Sequence, residues 1–372
     1  MAKDIFTALG LMSGTSMDGI DAAIIRTDGQ GLAEPVAAWS FPYDRAMRRL
    51  LARAMQQAQG LKERNGRPGV LGEAERAVTE AHVAAVRAAL AEHDARVDLI
   101  GFHGQTLLHR PGERLTVQIG DGAQLAAKTG LPVVWDMRAN DVAHGGQGAP
   151  MIPAYHAALA RRAADLPVVF VNIGGVANVT WVGQGGALLA FDCGPGNALL
   201  DDWMAQKTGA PFDEDGRMAA SGKADEAIVQ GYLAHPFLAG QPPKSLDRGS
   251  FSLAPVAALD TADGAATLAA FTARAIARAA QWFPAPPRLW VICGGGRRNR
   301  HLMELLAAAV EAPVAPAEAL RLDGDMLEAQ GWAYLAVRAL KGLPLTWPET
   351  TRAPKPLTGG IVSYPQGVIS RA

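Results

Sequence analysis

The chain holds two cysteines in 372 residues, Cys193 and Cys293, which is too few for a disulfide framework and lacks the paired spacing of a zinc site. Charge of one sign is also missing. Thirty-five Lys+Arg against 36 Asp+Glu leave a formal net charge of -1, and charged residues make up only 19% of the chain. No block of like charges stands out, so the dense cationic face that nucleic acid or an anionic membrane surface requires is not there. No stretch reaches the roughly 18 uninterrupted apolar residues of a spanning helix, and the start, Met1-Ala-Lys-Asp4, has none of the apolar run of a signal peptide. The expectation is a protein of the reducing cytoplasm whose partners are small molecules or another copy of itself. The length suits two domains, each with its own core.

What is present is an alternation of strand-length apolar runs with Ala-rich helical stretches, the mark of an α/β fold. Strands are predicted at Ile5–Met12, Ile20–Arg26, Leu99–Phe102, Leu115–Ile119, Val168–Ile173, Val179–Val182 and Leu289–Cys293. Helices are predicted at Gly72–Glu92, Gly122–Lys128, Asn197–Lys207, Thr261–Trp282, Arg300–Val310 and Asp325–Lys341. A partial repeat organises them. The run from Ile5 enters a Gly/Ser/Thr turn and leaves through Ile20-Asp-Ala-Ala; the run from Val168 enters Gly174-Gly175 and leaves through Asn178-Val-Thr-Trp. Two similar halves facing a cleft are therefore expected, with residues 1–131 and a Pro-rich strap from about 345 to 372 in the first and residues 132–344 in the second.

Three glycine turns follow strands. The first, Gly14-Thr15-Ser16-Met17-Asp18-Gly19-Ile20-Asp21, sets hydroxyls and backbone N–H groups where phosphate oxygens can be held. Asp18 would repel a bare phosphate, so its presence there makes sense with a divalent cation between them, and it is the candidate metal ligand. The segment is neither a Gly-x-x-x-x-Gly-Lys-[Ser/Thr] loop nor a Gly-x-Gly-x-x-Gly fingerprint, which argues against a P-loop or a dinucleotide fold. A polar hairpin turn explains it equally well by itself. The second turn, Asn172, Gly174, Gly175 and Asn178, could hold another side of a phosphate chain. The third, Gly294, Gly295, Gly296 and Asn299, opens a helix, where N–H groups suit a nucleotide. Asp192 closes an apolar strand before a Gly-Pro-Gly turn, a position that projects a carboxylate into a cleft; a helix cap is the competing reading. Asp136, Arg138, Asp141 and Gln147 lie on a polar, glycine-rich loop. Arg138 could fork onto a carboxylate or pair with Asp136 or Asp141. His103 and His109 are read as hydrogen-bonded structural residues.

The first turn, His103-Gly-Gln-Thr, Asp136-Met-Arg138 through Pro150, and Asp192-Cys-Gly-Pro-Gly196-Asn197, taken in order, resemble the anhydro-N-acetylmuramic acid kinase family, and the likeness runs from Gly10 to Thr358-Gly-Gly. The resemblance implies a duplicated actin-like, ribonuclease H-like ATPase fold, two lobes around a nucleotide cleft. It also implies ATP and Mg2+ as cofactors, a homodimer, and attack by a water activated at Asp192 on C1 of a 1,6-anhydro sugar while O6 takes the γ-phosphoryl group. Gly196 and Asn197 join the sugar-binding residues on the same ground. Another sugar or small-acid kinase, or a nucleotide switch without catalysis, are the alternatives. The chain departs from the family at Leu246-Asp247-Arg-Gly249, which is expected to leave the nucleotide and acid-base segments untouched.

Overall fold

The computed structural model describes residues 3–94, 96–163, 165–365 and 369–371, so the ends of the expected domains at Met1, Ala2 and Ala372, and positions 95, 164 and 366–368, lie outside the described residues. The chain forms two compact units, Met1–Leu159 with Met326–Ala372, and Ala160–Asp325.

The first unit begins with a meander. β1 (Phe6–Ser13) pairs antiparallel with β2 (Gly19–Thr27), and β2 pairs antiparallel with β3 (Ala33–Pro42). On its other side β1 runs parallel to β4 (Leu99–Arg110), which folds back antiparallel onto β5 (Leu115–Ile119) and runs parallel to β6 (Val133–Trp135). Leu9, Leu11, Ile24, Ile100 and Phe102 line a core with the helix Leu71–Glu92, whose Leu71, Ala74, Val78, Ala85 and Val86 are buried. β3 escapes the strand pattern because it carries Pro35 and Pro42. It is tolerated at a sheet edge, beside a register shift opposite Ile24 and Ile25.

In the second unit β7 (Val168–Ile173) pairs antiparallel with β8 (Ala177–Val182), and β8 antiparallel with β9 (Leu188–Gly194). β7 also runs parallel to β10 (Leu289–Cys293), and β10 parallel to β11 (Val314–Pro316). The orders β3-β2-β1-β4-β6 and β9-β8-β7-β10-β11 have the same strand directions throughout. The strand-turn-strand repeat is thus the opening of one topology used twice, and the α/β reading with duplicated halves is met.

The boundary differs from the expected one. Residues 132–159 and 326–344 belong to the first unit, because β6 extends its parallel strands and the helix Leu327–Leu340 lies against β1, β2 and β4. Contact there is close enough that a Cβ on Gly10 would strike the carbonyl oxygen of Ala329. The tail returns to the same unit as anticipated: β12 (Ile361–Ser363) pairs antiparallel with β6 and with β13 (Ile369–Arg371). Among the described residues no helix is long and apolar enough to cross a membrane.

Candidate functional site

In the first unit the turn from β1 to β2 stands on a buried polar base. Ser13 Oγ donates to Gln105 Oε1 at 2.6 Å and lies 3.0 Å from the Tyr43 hydroxyl, while Gln105 Nε2 donates to the Gly14 carbonyl at 2.9 Å. Ser13 and Gln105 are fully buried, so each needs these partners. Burial raises the Tyr43 phenol to about 12, which keeps its proton on. Above this base the Met17 amide donates to Gly14 O at 3.2 Å, with Met17 at φ 56°, and Ser16 Oγ donates to Asp18 Oδ1 at 2.8 Å. Thr15, Ser16 and Asp18 are exposed. Ile20 is buried in the core, and Asp21 accepts from Ser40 Oγ at 2.5 Å, so the exposed part of the turn lies at Thr15, Ser16 and Asp18.

His103 joins this turn to the polar loop. Its Nδ1 lies 3.1 Å from Ser13 O and its Nε2 3.0 Å from Arg138 Nη2. Burial, with the Arg138 charge adding to it, lowers the imidazole to about 3, so the ring is neutral. Arg138 also donates to the Gly148 carbonyl and sits 5.6 Å over the Trp332 ring. Its own proton is loosened by burial to about 10, against the pull of Glu328 and Asp141. Neither Asp136 nor Asp141 is its hydrogen-bond partner. Asp136, at φ 55°, accepts from Arg64 Nη2 at 2.5 Å, and burial raises its carboxyl in spite of Arg64 and Arg67. Asp141 is buried and uses both oxygens to fold the loop, accepting from Gly148 N at 2.6 Å and from Thr351 Oγ1 at 2.6 Å. Gln147 is held through its backbone, which donates to Thr351 O at 2.5 Å and accepts near His109 Nε2 at 2.9 Å.

In the second unit β9 carries Asp192 opposite Asn178 of β8. Asp192 Oδ2 accepts from the Leu246 amide at 2.8 Å, and its own amide donates to Lys244 O at 2.9 Å. Desolvation pushes the carboxyl up to about 7, partly offset by the Leu246 hydrogen bond. The segment that departs from the family therefore does touch Asp192, correcting the expectation. Because the contact is made by a main-chain N–H, the change of side chains there leaves it intact. No helix cap is made by Asp192: the helix Ala198–Thr208 has no side-chain cap at its start.

The other two turns meet around Asn197. Asn197 N donates to Gly174 O at 2.8 Å, Ala198 N to Gly175 O at 3.2 Å, and Asn197 Nδ2 to Ile173 O at 3.1 Å. After β10, Gly294 at φ 72° leads into a 3-10 turn over Gly295–Arg298. Asn299 then caps the helix Arg300–Ala309, its Oδ1 accepting from Leu302 N at 2.9 Å. Asn299 therefore spends its side chain on the helix start. Cys193 and Cys293 are buried and form no disulfide, and burial raises the Cys193 thiol.

Among the described residues no group of three or more His, Cys, Asp and Glu could hold a metal ion by itself. Mg2+ usually takes one or two carboxylates and fills its remaining positions with phosphate oxygens and water. The exposed Asp18 carboxylate fits such a site. Sequence reasoning passed over Arg64, which neutralises Asp136, and gave no place to Leu246. Neither leaves a local signal: Arg64 is far from Asp136 in sequence, and Leu246 acts through its backbone.

The chain matches the model of the family described as anhydro-N-acetylmuramic acid kinase over residues 6–365. It is 51% identical over 368 residues to the protein of that name from Agrobacterium fabrum, covering 96% of this chain and 99% of that one. It is 52% identical over 366 residues to the one from Nitrobacter winogradskyi, covering 97% and 100%. Among solved structures it is similar to the activator of 2-hydroxyisocaproyl-CoA dehydratase from Clostridium difficile, at 13% identity and a TM-score of 0.45, covering 90% of this chain and 96% of that chain.

Proposed function

The chain belongs to the anhydro-N-acetylmuramic acid kinase family, and from that premise we propose that it phosphorylates 1,6-anhydro-N-acetylmuramic acid at O6 from ATP while water opens the anhydro bond, giving N-acetylmuramic acid 6-phosphate for cell-wall recycling. It is an enzyme, a sugar kinase. The observation that carries the mechanism is Asp192, a desolvated carboxyl near 7 fixed by one backbone hydrogen bond. A base is most useful when its pKa lies near the working pH. Asp192 takes a proton from water; the water oxygen bonds to C1, the C1–O6 bond breaks, and O6 captures the γ-phosphoryl group as ADP leaves. An inverting glycosidase needs a second carboxyl to protonate the leaving oxygen. Here phosphoryl capture replaces that proton, so one carboxylate suffices.

Phosphoryl transfer asks mainly for positioning and charge neutralisation. We assign Gly14 to Gly19, Asn172, Gly174, Gly175, Asn178 and Gly294 to Gly296 to the nucleotide, with Asn299 supporting the last turn as a helix cap. Asp18 is the assigned Mg2+ ligand, and the ion would neutralise phosphate charge. Arg138, Asp136, Gln147, Gly196 and Asn197 are assigned to the sugar, with Asp141 holding the loop that presents them. Arg138, buried beside neutral His103, keeps a fixed fork for the substrate carboxylate. A cytoplasmic location agrees with two buried cysteines that form no disulfide, and a homodimer is the expected state, checked by light scattering.

Mass spectrometry of the product tests the reaction. The expected product exceeds the sugar by one phosphoryl group and one water. A product heavier by a phosphoryl group alone would mean transfer to another hydroxyl with the anhydro ring intact, and would overturn the proposal.

A further inference from the structure

The Gly294–Gly296 turn is fastened by an ion network that no role above uses. Arg297, at the end of that turn, has a side chain only 6% exposed. It binds Asp325 bidentately, Nη1 to Oδ1 at 2.8 Å and Nη2 to Oδ2 at 2.9 Å, and gives Nε to Glu318 Oε1 at 2.8 Å. Nη1 also donates to the Gly294 carbonyl at 2.9 Å, so the guanidinium grips the turn's own backbone. The Gly294 amide donates to Gly324 O at 3.2 Å, closing the same ring from the other side. Gly324 has to be glycine, since a Cβ there would occupy the place of the Arg297 guanidinium. Arg298, mostly exposed, adds a contact to Asp325. All three guanidinium nitrogens of Arg297, through four of its five N–H donors, are thus committed within the protein.

A buried ion pair adds little net stability over an apolar filling of the same shape, and removing one partner is what costs. Two carboxylates and a carbonyl converging on one guanidinium instead fix geometry, which a planar fork does and an ammonium does not. We propose that Arg297, held by Asp325 and Glu318, is a positioning residue for the nucleotide: it sets the Gly294–Gly296 backbone in the conformation that receives ATP. This rests on the reading of that turn as nucleotide-binding. At this turn the nucleotide would meet main-chain N–H groups, so the turn's share of the affinity depends on its shape.

The test uses the full-length enzyme and steady-state kinetics with ATP and the anhydro sugar varied separately. Arg297→Lys keeps the charge and loses the fork; Asp325→Asn loosens the same network from the other side. Both are expected to raise KM for ATP by about tenfold or more while KM for the sugar stays within about twofold. A purely structural role would lower the melting temperature and shift both constants together or neither. That result, in variants that remain folded by circular dichroism, overturns the proposal; if either variant fails to fold, the other carries the test. Gly295→Leu separates the two layers of inference, because Gly295 has only one ordinary contact near its Cβ position, Asn197 at 3.8 Å. An unchanged KM for ATP in Gly295→Leu means that the turn does not hold nucleotide. A raised KM there, with Arg297→Lys unaffected, defeats only the role of Arg297.

Discussion

The two units share one strand order but brace their first turns differently. In the first, the turn between β1 and β2 is long and exposes Thr15, Ser16 and Asp18, and it is braced from below by the buried side chains of Ser13, Tyr43, His103 and Gln105. In the second, Gly174 and Gly175 are held by main-chain amides of Asn197 and Ala198, and the charged group stands apart from the turn, on β9. The duplicated topology thus supplies two unlike tools. One turn exposes hydroxyls and a carboxylate, to which the proposed function gives the metal and phosphates; the other offers backbone, and the proposed base, Asp192, lies on β9. In the first unit, substitutions in the brace should act through the turn, whereas in the second, backbone freedom and one carboxyl should dominate.

The largest effect is expected from Asp192→Asn. The amide still accepts from Leu246 N, so the fold and the KM for ATP should survive while kcat falls by about a thousandfold; steady-state kinetics beside a thermal melt measures both. Glycine substitutions come next. Gly196 sits at φ 58°, and a Cβ there would strike Gly174 O, so Gly196→Ala should cost about 3 kcal/mol in denaturant unfolding. Gly14 has nothing closer than 3.5 Å to a Cβ, and Gly14→Ala should cost under about 1 kcal/mol. Equal costs would erase the distinction between a side-chain brace and a backbone brace. Gln105→Leu should lie between them, at about 2 kcal/mol, because it leaves Ser13 Oγ and the Gly14 carbonyl short of a partner. It should also raise KM for ATP.

The comparison also predicts a pH dependence of opposite sign in the two units, read as a slope over several pH units. His82 and His109 are lowered by burial to about 4, His103 and His156 to about 3. Their unfolded forms bind a proton near 6.5 and the folded forms do not, so the first unit loses stability as pH falls below about 6.5. Asp192 has a raised folded pKa, so between about 4 and 7 the folded state holds the proton that the unfolded state has lost, and stability declines as pH rises through that window. Asp192→Asn removes this decline. Its melting temperature should gain on the unaltered protein as pH rises from about 4 to 7, and a constant difference would show that the Asp192 carboxyl is not desolvated.

Sequence pattern reveals the strands that open each unit, because apolar runs of strand length stop at glycine turns in both, and it locates the polar segments Gly14–Asp21, Asp136–Gln147 and Asp192–Asn197. What it does not reveal is how the chain closes. The helix Leu327–Leu340 reads as a helix in any context, and only its packing against Gly10 assigns it to the first unit. β3 is hidden by its two prolines, and β6 and β11 are three residues each, too short for a periodicity. Asp141 looks like a cleft carboxylate and is a loop brace, because its partner Thr351 comes from the tail. Arg64 and Arg297 are arginines on a mainly polar background, and their importance lies in which distant carboxylates they meet.

The central claim is that the half-buried Asp192 carboxyl of β9 serves as the base. The most direct measurement is the pH profile of kcat/KM for the sugar, which reports ionisations of the enzyme before the sugar binds. The expected profile falls on the acid side with an apparent pKa near the value of about 7 that burial gives Asp192. A profile that is flat from about pH 5 to 8, or whose acid limb lies at the ordinary carboxylate value near 4, would contradict it.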